Sequence, residues 1–291
     1  MGQSTLEAWR GFTRQQLEQQ YSPSSCVDDF DALMVGYATE SRASEARAHV
    51  QKDLAYGGHT DETLDLFSAG DGTALQVFIH GGYWQALSKD DSTFPGADFV
   101  ANGVSYAAVN YSLAPAAGIV AMIRQCRRSI AWLYHHASEL GFDRDRIVIS
   151  GSSAGAHLAV MVMLTDWPAF GVPRDVIKGA TLMSGVFDLR PLCHTYVNEP
   201  LGLVEAGARA LSPLFHTLAG LPETIVCWGE NETDEFKRQS QAFFMALRDA
   251  GIDAIHFEVE GHNHFDLVQT LSDPESVLGG HAYRQIRSLA G

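Results

Sequence analysis

Short apolar runs alternate with stretches of helical period along most of the chain. Residues 64–67 and 75–79 are strand-like, the second passing directly into His80-Gly81-Gly82. Residues 104–110 form a third such run, ended by Tyr111-Ser112-Leu113-Ala114-Pro115. Ile123, Cys126, Ile130, Leu133 and Ala137 then recur at helical spacing, and Gly141 is placed to end that helix. Residues 146–150 predict a short buried strand, followed by Gly151 to Gly155 and a helix over 157–164. Two more brief strands are expected at 180–184 and 224–228. Residues 236–250 predict an amphipathic helix with Phe243, Phe244 and Leu247 inward and Gly251 as its stop, and 254–259 the last strand. Asp273 and Pro274 read as the cap and first turn of a closing helix. The first 65 or so residues look like helices and loops. Strands alternating with helices imply an α/β fold, a mainly parallel central sheet with helices on both faces.

Composition narrows this. With 291 residues, 46% hydrophobic and 19% charged, the chain can bury a full core. It shows no repeat, low-complexity tract or linker, so 1–291 reads as one domain, with 1–65 as a helical N-terminal segment that packs on it or acts as a cap or lid. A formal net charge of −15 repels phosphate backbones and argues against nucleic acid as a partner. The first twenty residues are polar and lack the apolar core of a secretory signal, and no apolar run approaches the roughly 18 residues of a membrane span. Cys26, Cys126, Cys193 and Cys227 are scattered without a paired motif, which points to a reduced, cytoplasmic protein. Oligomeric state stays open, a homodimer included.

The chemistry gathers in three places. Gly151-Ser152-Ser153-Ala154-Gly155 matches G-x-S-x-G, a turn from strand to helix that holds its serine in a strained conformation. The flanking glycines are needed because strand and helix leave no room there for a side chain. The pentapeptide alone is a weak signal; the expected strand before it and helix after it fit the nucleophile elbow of an α/β-hydrolase, with Ser153 as nucleophile. Upstream, His80-Gly81-Gly82-Tyr83-Trp84 can turn backbone N–H groups of Gly81 and Gly82, joined by Ala154, toward an oxyanion. His80 reads as a hydrogen-bonding residue that fixes this loop rather than as a base. Tyr83 and Trp84 border the aromatic part of a substrate or else pack in the core.

This fold uses the chain order serine, acid, histidine. Glu230, Glu232, Asp234 and Glu235 follow the 224–228 strand, and composition does not choose among them. His262 and His264 follow the last strand and compete for the role of base. His262-x-His264-x-Asp266 also has the spacing of zinc hydrolases, but only His281 remains downstream as a further ligand, so coincidence is the better account. No metal or organic cofactor is implied.

Assembled, these residues resemble the kynurenine formamidase (arylformamidase) family within the esterase and lipase branch of the α/β-hydrolases. Gln20-Tyr21-Ser22-Pro23, His80 to Trp84, Ser184 to Leu192 (Ser-Gly-Val-Phe-Asp-Leu-Arg-Pro-Leu), Leu211-Ser212-Pro213-Leu214, Glu235 to Ser240 and His264-Phe265-Asp266 all look like segments of that family. They span most of the chain and are far more specific than the elbow alone. The resemblance implies Ser153 as nucleophile, His264 as base and Glu232 as acid, in a position where many relatives carry Asp. It also implies a small aromatic amide or ester as substrate, N-formylkynurenine first, with a small-acyl carboxylesterase, amidase or carbamate hydrolase as the alternative. Tyr111-Ser112-Leu113-Ala114-Pro115 departs from the Tyr-Arg-Leu-Ala-Pro of broader esterases.

Overall fold

Ten strands and eight α-helices follow one another in a computed structural model that describes residues 7–289. The first six positions of the expected N-terminal segment and the last two of the chain lie outside the described residues. In chain order the elements are β1 (Glu7–Trp9), β2 (Phe12–Thr13), α1 (Arg14–Gln20), α2 (Phe30–Arg47), β3 (Val50–Ala55), β4 (Thr63–Phe67) and β5 (Thr73–Ile79). Then come α3 (Gly96–Ala101), β6 (Ser105–Val109), α4 (Ile119–Leu140), β7 (Phe142–Ser152), α5 (Ala154–Met163) and β8 (Ile177–Met183). Last are α6 (Glu205–Ala210), β9 (Glu223–Asn231), α7 (Asp234–Asp249), β10 (Ala254–Asn263) and α8 (Val277–Ser288).

Eight strands form one sheet in the order β10-β9-β8-β7-β5-β6-β4-β3. The pairs from β6 through β10 are parallel, and β3 and β4 join antiparallel at one edge. Side chains alternate faces along each strand, so the sheet feeds two cores. Val77, Ile79, Ile147 and Ile149 face the layer holding Leu17, Ile123, Leu158 and Phe243, from α1, α4, α5 and α7. Phe78, Val148, Met183 and Cys227 face the other layer, with Phe99, Leu278 and Tyr283 from α3 and α8. Burial on both faces is why these strands read as continuous apolar runs.

The register aligns the carboxyl ends of the central strands. Ile79 pairs with Gly151, Ser152 with Met183, and Met183 with Cys227. The loops that follow β5, β7, β9 and β10 therefore emerge at one edge, where ligands bind in open α/β sheets.

Several local expectations need correction. The first 65 residues are not only helices and loops. They contain the β1–β2 hairpin and the edge strand β3, while β4 matches the strand expected at 64–67. The closing helix is capped by Ser276, whose hydroxyl accepts from Gly279 N at 2.9 Å, and not by Asp273, whose carboxylate takes Glu275 N in the preceding turn. Phe244 is only half-buried, against His256 on β10, while Phe243 and Leu247 are fully inside. Gly141 does end α4, at φ 79° and with its N–H on Ala137 O at 2.9 Å.

Candidate active site

Ser153 sits between β7 and α5 at φ 56° and ψ −119°, a conformation costly for a residue with a Cβ. The turn can be this tight because of its glycines. A Cβ on Gly151 would lie 2.3 Å from Gly155 O, and one on Gly155 would lie 2.0 Å from Ile79 O, so neither position admits a side chain without backbone movement. Ser153 N donates to Met183 O at 2.8 Å, tying the turn to β8.

The loop after β5 packs onto this turn. A Cβ on Gly81 would lie 2.9 Å from Ser152 O and 3.3 Å from Ser153 Cβ, so only glycine lets the two backbones approach. Gly82 has φ 91° and accepts, through its carbonyl, from Gln85 N and Ala86 N. The N–H groups of Gly81, Gly82 and Ala154 find no acceptor among the described residues. Three unpaired donors beside one serine are a costly arrangement in a folded protein, and such groups are the kind that hold a developing oxyanion.

His80 braces the loop. Its Nδ1–H donates to Gly81 O at 2.9 Å, and its ring stacks on Tyr111 at 4.2 Å. The Tyr111 hydroxyl in turn donates to His80 O at 2.9 Å. Tyr83 lines the cavity described below, with its hydroxyl on Tyr21 O at 2.6 Å. Trp84 does not line the cavity: it is fully buried, edge-on to His157 at 5.1 Å, and is a core residue rather than a substrate contact.

The four candidate acids take different partners. Glu230 accepts from Gly261 N at the surface, Asp234 lies in the first turn of α7, and Glu235 pairs with Arg238 at 2.7 Å. Glu232 is buried and accepts at Oε2 from His264 Nδ1 at 2.9 Å. Its other oxygen, Oε1, accepts from Ser184 Oγ at 2.5 Å and from Gly229 N at 2.7 Å. Ser184 follows β8 with φ 50°; it opens the family-like segment Ser184 to Leu192, but nothing in the sequence gives it a role beside the acid.

His264 is 4% exposed, with Phe236 edge-on to its ring at 4.6 Å. His262 instead turns its Nδ1 to Glu260 O, and Asp266 accepts from Asn263 N and Nδ2, so the H-x-H-x-D residues do not converge. Ser153 and His264 line the same cavity but are not hydrogen-bonded to each other.

That cavity holds about 470 Å³. One end carries Ser152, Ser153, Gly81, Gly82 and His264; the walls include Phe30, Met34 and Tyr37 from α2, with Phe78, Phe94 and Phe265. Tyr37 is pinned there by its hydroxyl on Phe265 O at 2.5 Å. The N-terminal segment is also tied to the acid loop. Tyr21 OH donates to Glu235 Oε2 at 2.9 Å, and Thr233 Oγ1 to Gln20 O at 2.6 Å.

Burial without a charged partner pushes His80 and His157 down to about 4. Both are neutral in the folded protein near pH 7, whereas an unfolded histidine takes up its proton near 6.5. Between these values the unfolded state binds more protons, so stability is full above pH 6.5 and falls as pH drops toward 4. Each histidine removes about 2 kcal/mol by pH 5. Urea unfolding at pH 7, 6 and 5 should show the loss already above pH 5, before most carboxylates titrate; a midpoint flat across that interval would contradict it.

A family model described as BD-FAE matches residues 64–170. The chain is 36% identical to a kynurenine formamidase of Danio rerio over 289 residues, 94% of this chain and 96% of the relative. It is 31% identical to a kynurenine formamidase of Salmo salar over 283 residues, 92% of this chain and 95% of the relative. The chain belongs to the kynurenine formamidase family. Among solved structures, esterase B from Lactobacillus rhamnosis has a TM-score of 0.72 at 21% identity, over 93% of this chain and 96% of that one. The chain thus has the α/β-hydrolase fold and is a hydrolase. The BD-FAE match takes in the elbow and α5 and ends at residue 170, so Glu232 and His264 lie outside it. The likeness to the kynurenine formamidases runs over nearly the whole chain and takes in both. Among the described residues no helix is long and apolar enough to cross a membrane.

Proposed function

We propose that this member of the kynurenine formamidase family hydrolyses N-formyl arylamines, with N-formylkynurenine giving kynurenine and formate, through a formyl-enzyme on Ser153. The observation that carries the reading is the cavity end itself. There a strained serine, a buried histidine held by a carboxylate, and three unpaired backbone donors surround one space lined by aromatic rings.

In the proposed reaction Ser153 Oγ attacks the formyl carbon while its proton passes to His264 Nε2. Glu232 holds Nδ1–H, which fixes the tautomer that leaves Nε2 free to accept and stabilises the imidazolium. The oxygen of the tetrahedral intermediate takes hydrogen bonds from Gly81, Gly82 and Ala154 N–H. Its collapse breaks the C–N bond as His264 Nε2–H protonates the departing aryl amine. Water, deprotonated by His264, then attacks the formyl ester, formate leaves and the proton returns to Ser153.

A second reading, a small-acyl carboxylesterase, is favoured by the wider likeness to esterases and uses the same residues. Formate release from N-formylkynurenine, compared by kcat/KM with p-nitrophenyl acetate, separates the two. The formamidase reading expects the formamide to be preferred by at least about 10-fold. Ester turnover with no formate release would replace it by the second. A reduced, cytoplasmic setting fits the four free cysteines, of which Cys126 and Cys227 are fully buried.

A further inference from the structure

Among the described residues the cavity wall contains no lysine and no arginine, and its single carboxylate is Asp91. His80, also in the wall, is pushed down to about 4 by burial and adds no positive charge near pH 7. Asp91 is half-buried; its Oδ2 accepts from Ser88 Oγ at 3.0 Å, and it forms no ion pair among the described residues. The lysine two positions away does not neutralise it. Lys89 Nζ is taken by Asp53 at 2.9 Å, Asp65 at 3.0 Å and Asp90 at 2.9 Å. Lys52, on the same cluster, pairs with Glu45 at 3.0 Å and stands 4.0 Å from Asp65. Two cations against Glu45, Asp53, Asp65 and Asp90 leave that neighbourhood negative. The field at Asp91 therefore favours a cation and disfavours an anion, in a pocket whose other walls offer aromatic faces that also accept cations.

We propose that Asp91 selects substrates by charge, receiving an ammonium group carried on the side chain of the aryl ring. The preferred class is then aryl formamides or esters with an amine-terminated tail and no carboxylate beside it. This rests on the aryl-acyl reading given above and goes past it in one respect. The zwitterionic tail of N-formylkynurenine places its ammonium on Asp91 but brings a carboxylate that no basic residue of the wall meets. The decarboxylated amine analogue, with the same ring and formamide, is the better substrate.

The test compares kcat/KM for N-formylkynurenine, its decarboxylated amine and formanilide, together with phenyl acetate and 4-(2-aminoethyl)phenyl acetate. Wild type and Asp91→Asn are both measured. Asparagine is isosteric and keeps an oxygen for the Ser88 hydroxyl, so its folding can be checked against wild type by thermal melting. In wild type the amine should exceed the zwitterion by about 5-fold or more, and the aminoethyl ester should exceed phenyl acetate by about 10-fold. Asp91→Asn should reduce the ester cation-to-neutral ratio by at least about 5-fold. Should the variant fold poorly, wild type alone decides: raising ionic strength from about 0.05 to 0.5 M must shrink the cation's advantage. Equal ratios in both enzymes, a salt-independent ratio, or a wild-type preference for the zwitterion over the amine would each overturn the proposal. Formamides that stay inert while the ester ratio still depends on Asp91 would sink the formamidase reading and leave charge selection standing.

Discussion

Replacing Ser153 by alanine is expected to lower kcat/KM for aryl formamide hydrolysis by about 100,000-fold, with the fold unchanged. The size follows from what the hydroxyl supplies. Without it no acyl-enzyme forms, and the remaining N–H groups at Gly81, Gly82 and Ala154 can only stabilise slow attack by water. The stability side follows from what the hydroxyl lacks. Ser153 lines the cavity and none of the described residues hydrogen-bonds to its Oγ, so its removal strands no buried donor or acceptor. The φ of 56° is equally awkward for alanine and serine, so the strain is not relieved either. Thermal unfolding should move by no more than a degree or two, and labelling by a fluorophosphonate should disappear. Activity retained within 10-fold of wild type would remove Ser153 from the mechanism.

The elbow was legible in sequence because its requirements are local. Strand, turn and helix must be contiguous, and Gly151 and Gly155 are forced by backbone contacts within and beside that turn. The central strands were legible for a different reason. Burial on both faces leaves runs such as 147–149 and 180–182 with few polar positions. The N-terminal part was misread because its pattern is weak: β3 is an edge strand with the composition Val-Gln-Lys-Asp-Leu-Ala, and Asp53 within it has φ 56°. The 18 residues of α2 bury only Tyr37, Ser41 and Ser44, so no apolar stripe announces the helix.

What sequence leaves unresolved at the site is long-range. Glu230, Glu232, Asp234 and Glu235 are equivalent as letters, and Glu232 stood apart only through likeness to a family. Its support in the structure is the depth of its oxygens and the three donors that reach them from β8, β9 and the loop after β10. His262 and His264 divide in the same way, one turned to a backbone carbonyl and the other buried against Phe236. The wall formed by Phe30, Met34 and Tyr37 depends on where α2 packs beside the cavity, and periodicity along the chain carries no trace of that. Trp84 shows the opposite limit. Adjacent to Tyr83 in sequence, it faces the core while Tyr83 faces the cavity.

Converting Glu232 to glutamine should cost about 10,000-fold in kcat with little change in KM, and the surroundings of the carboxylate say why. Gly229 N and Ser184 Oγ both donate to Oε1, and the backbone donor has no other role to adopt. The glutamine oxygen is therefore drawn to that site, which turns its NH2 group toward His264 Nδ1 at the place where Oε2 stood, 2.9 Å away. Two donors cannot face each other, so Nδ1 must give up its proton and Nε2 must carry one. A histidine in that tautomer has no lone pair for the Ser153 proton. The loss is one of protonation geometry, not of packing, since glutamine is isosteric with glutamate. The checks are steady-state kinetics with the thermal midpoint alongside. Glu232→Asp is the companion: its shorter chain cannot reach Ser184, Gly229 N and His264 together, so it should lie between wild type and Glu232→Gln. A Glu232→Gln enzyme within 10-fold of wild type would show that the carboxylate does not set the histidine's tautomer, and would return the acid's role to its neighbours on the loop.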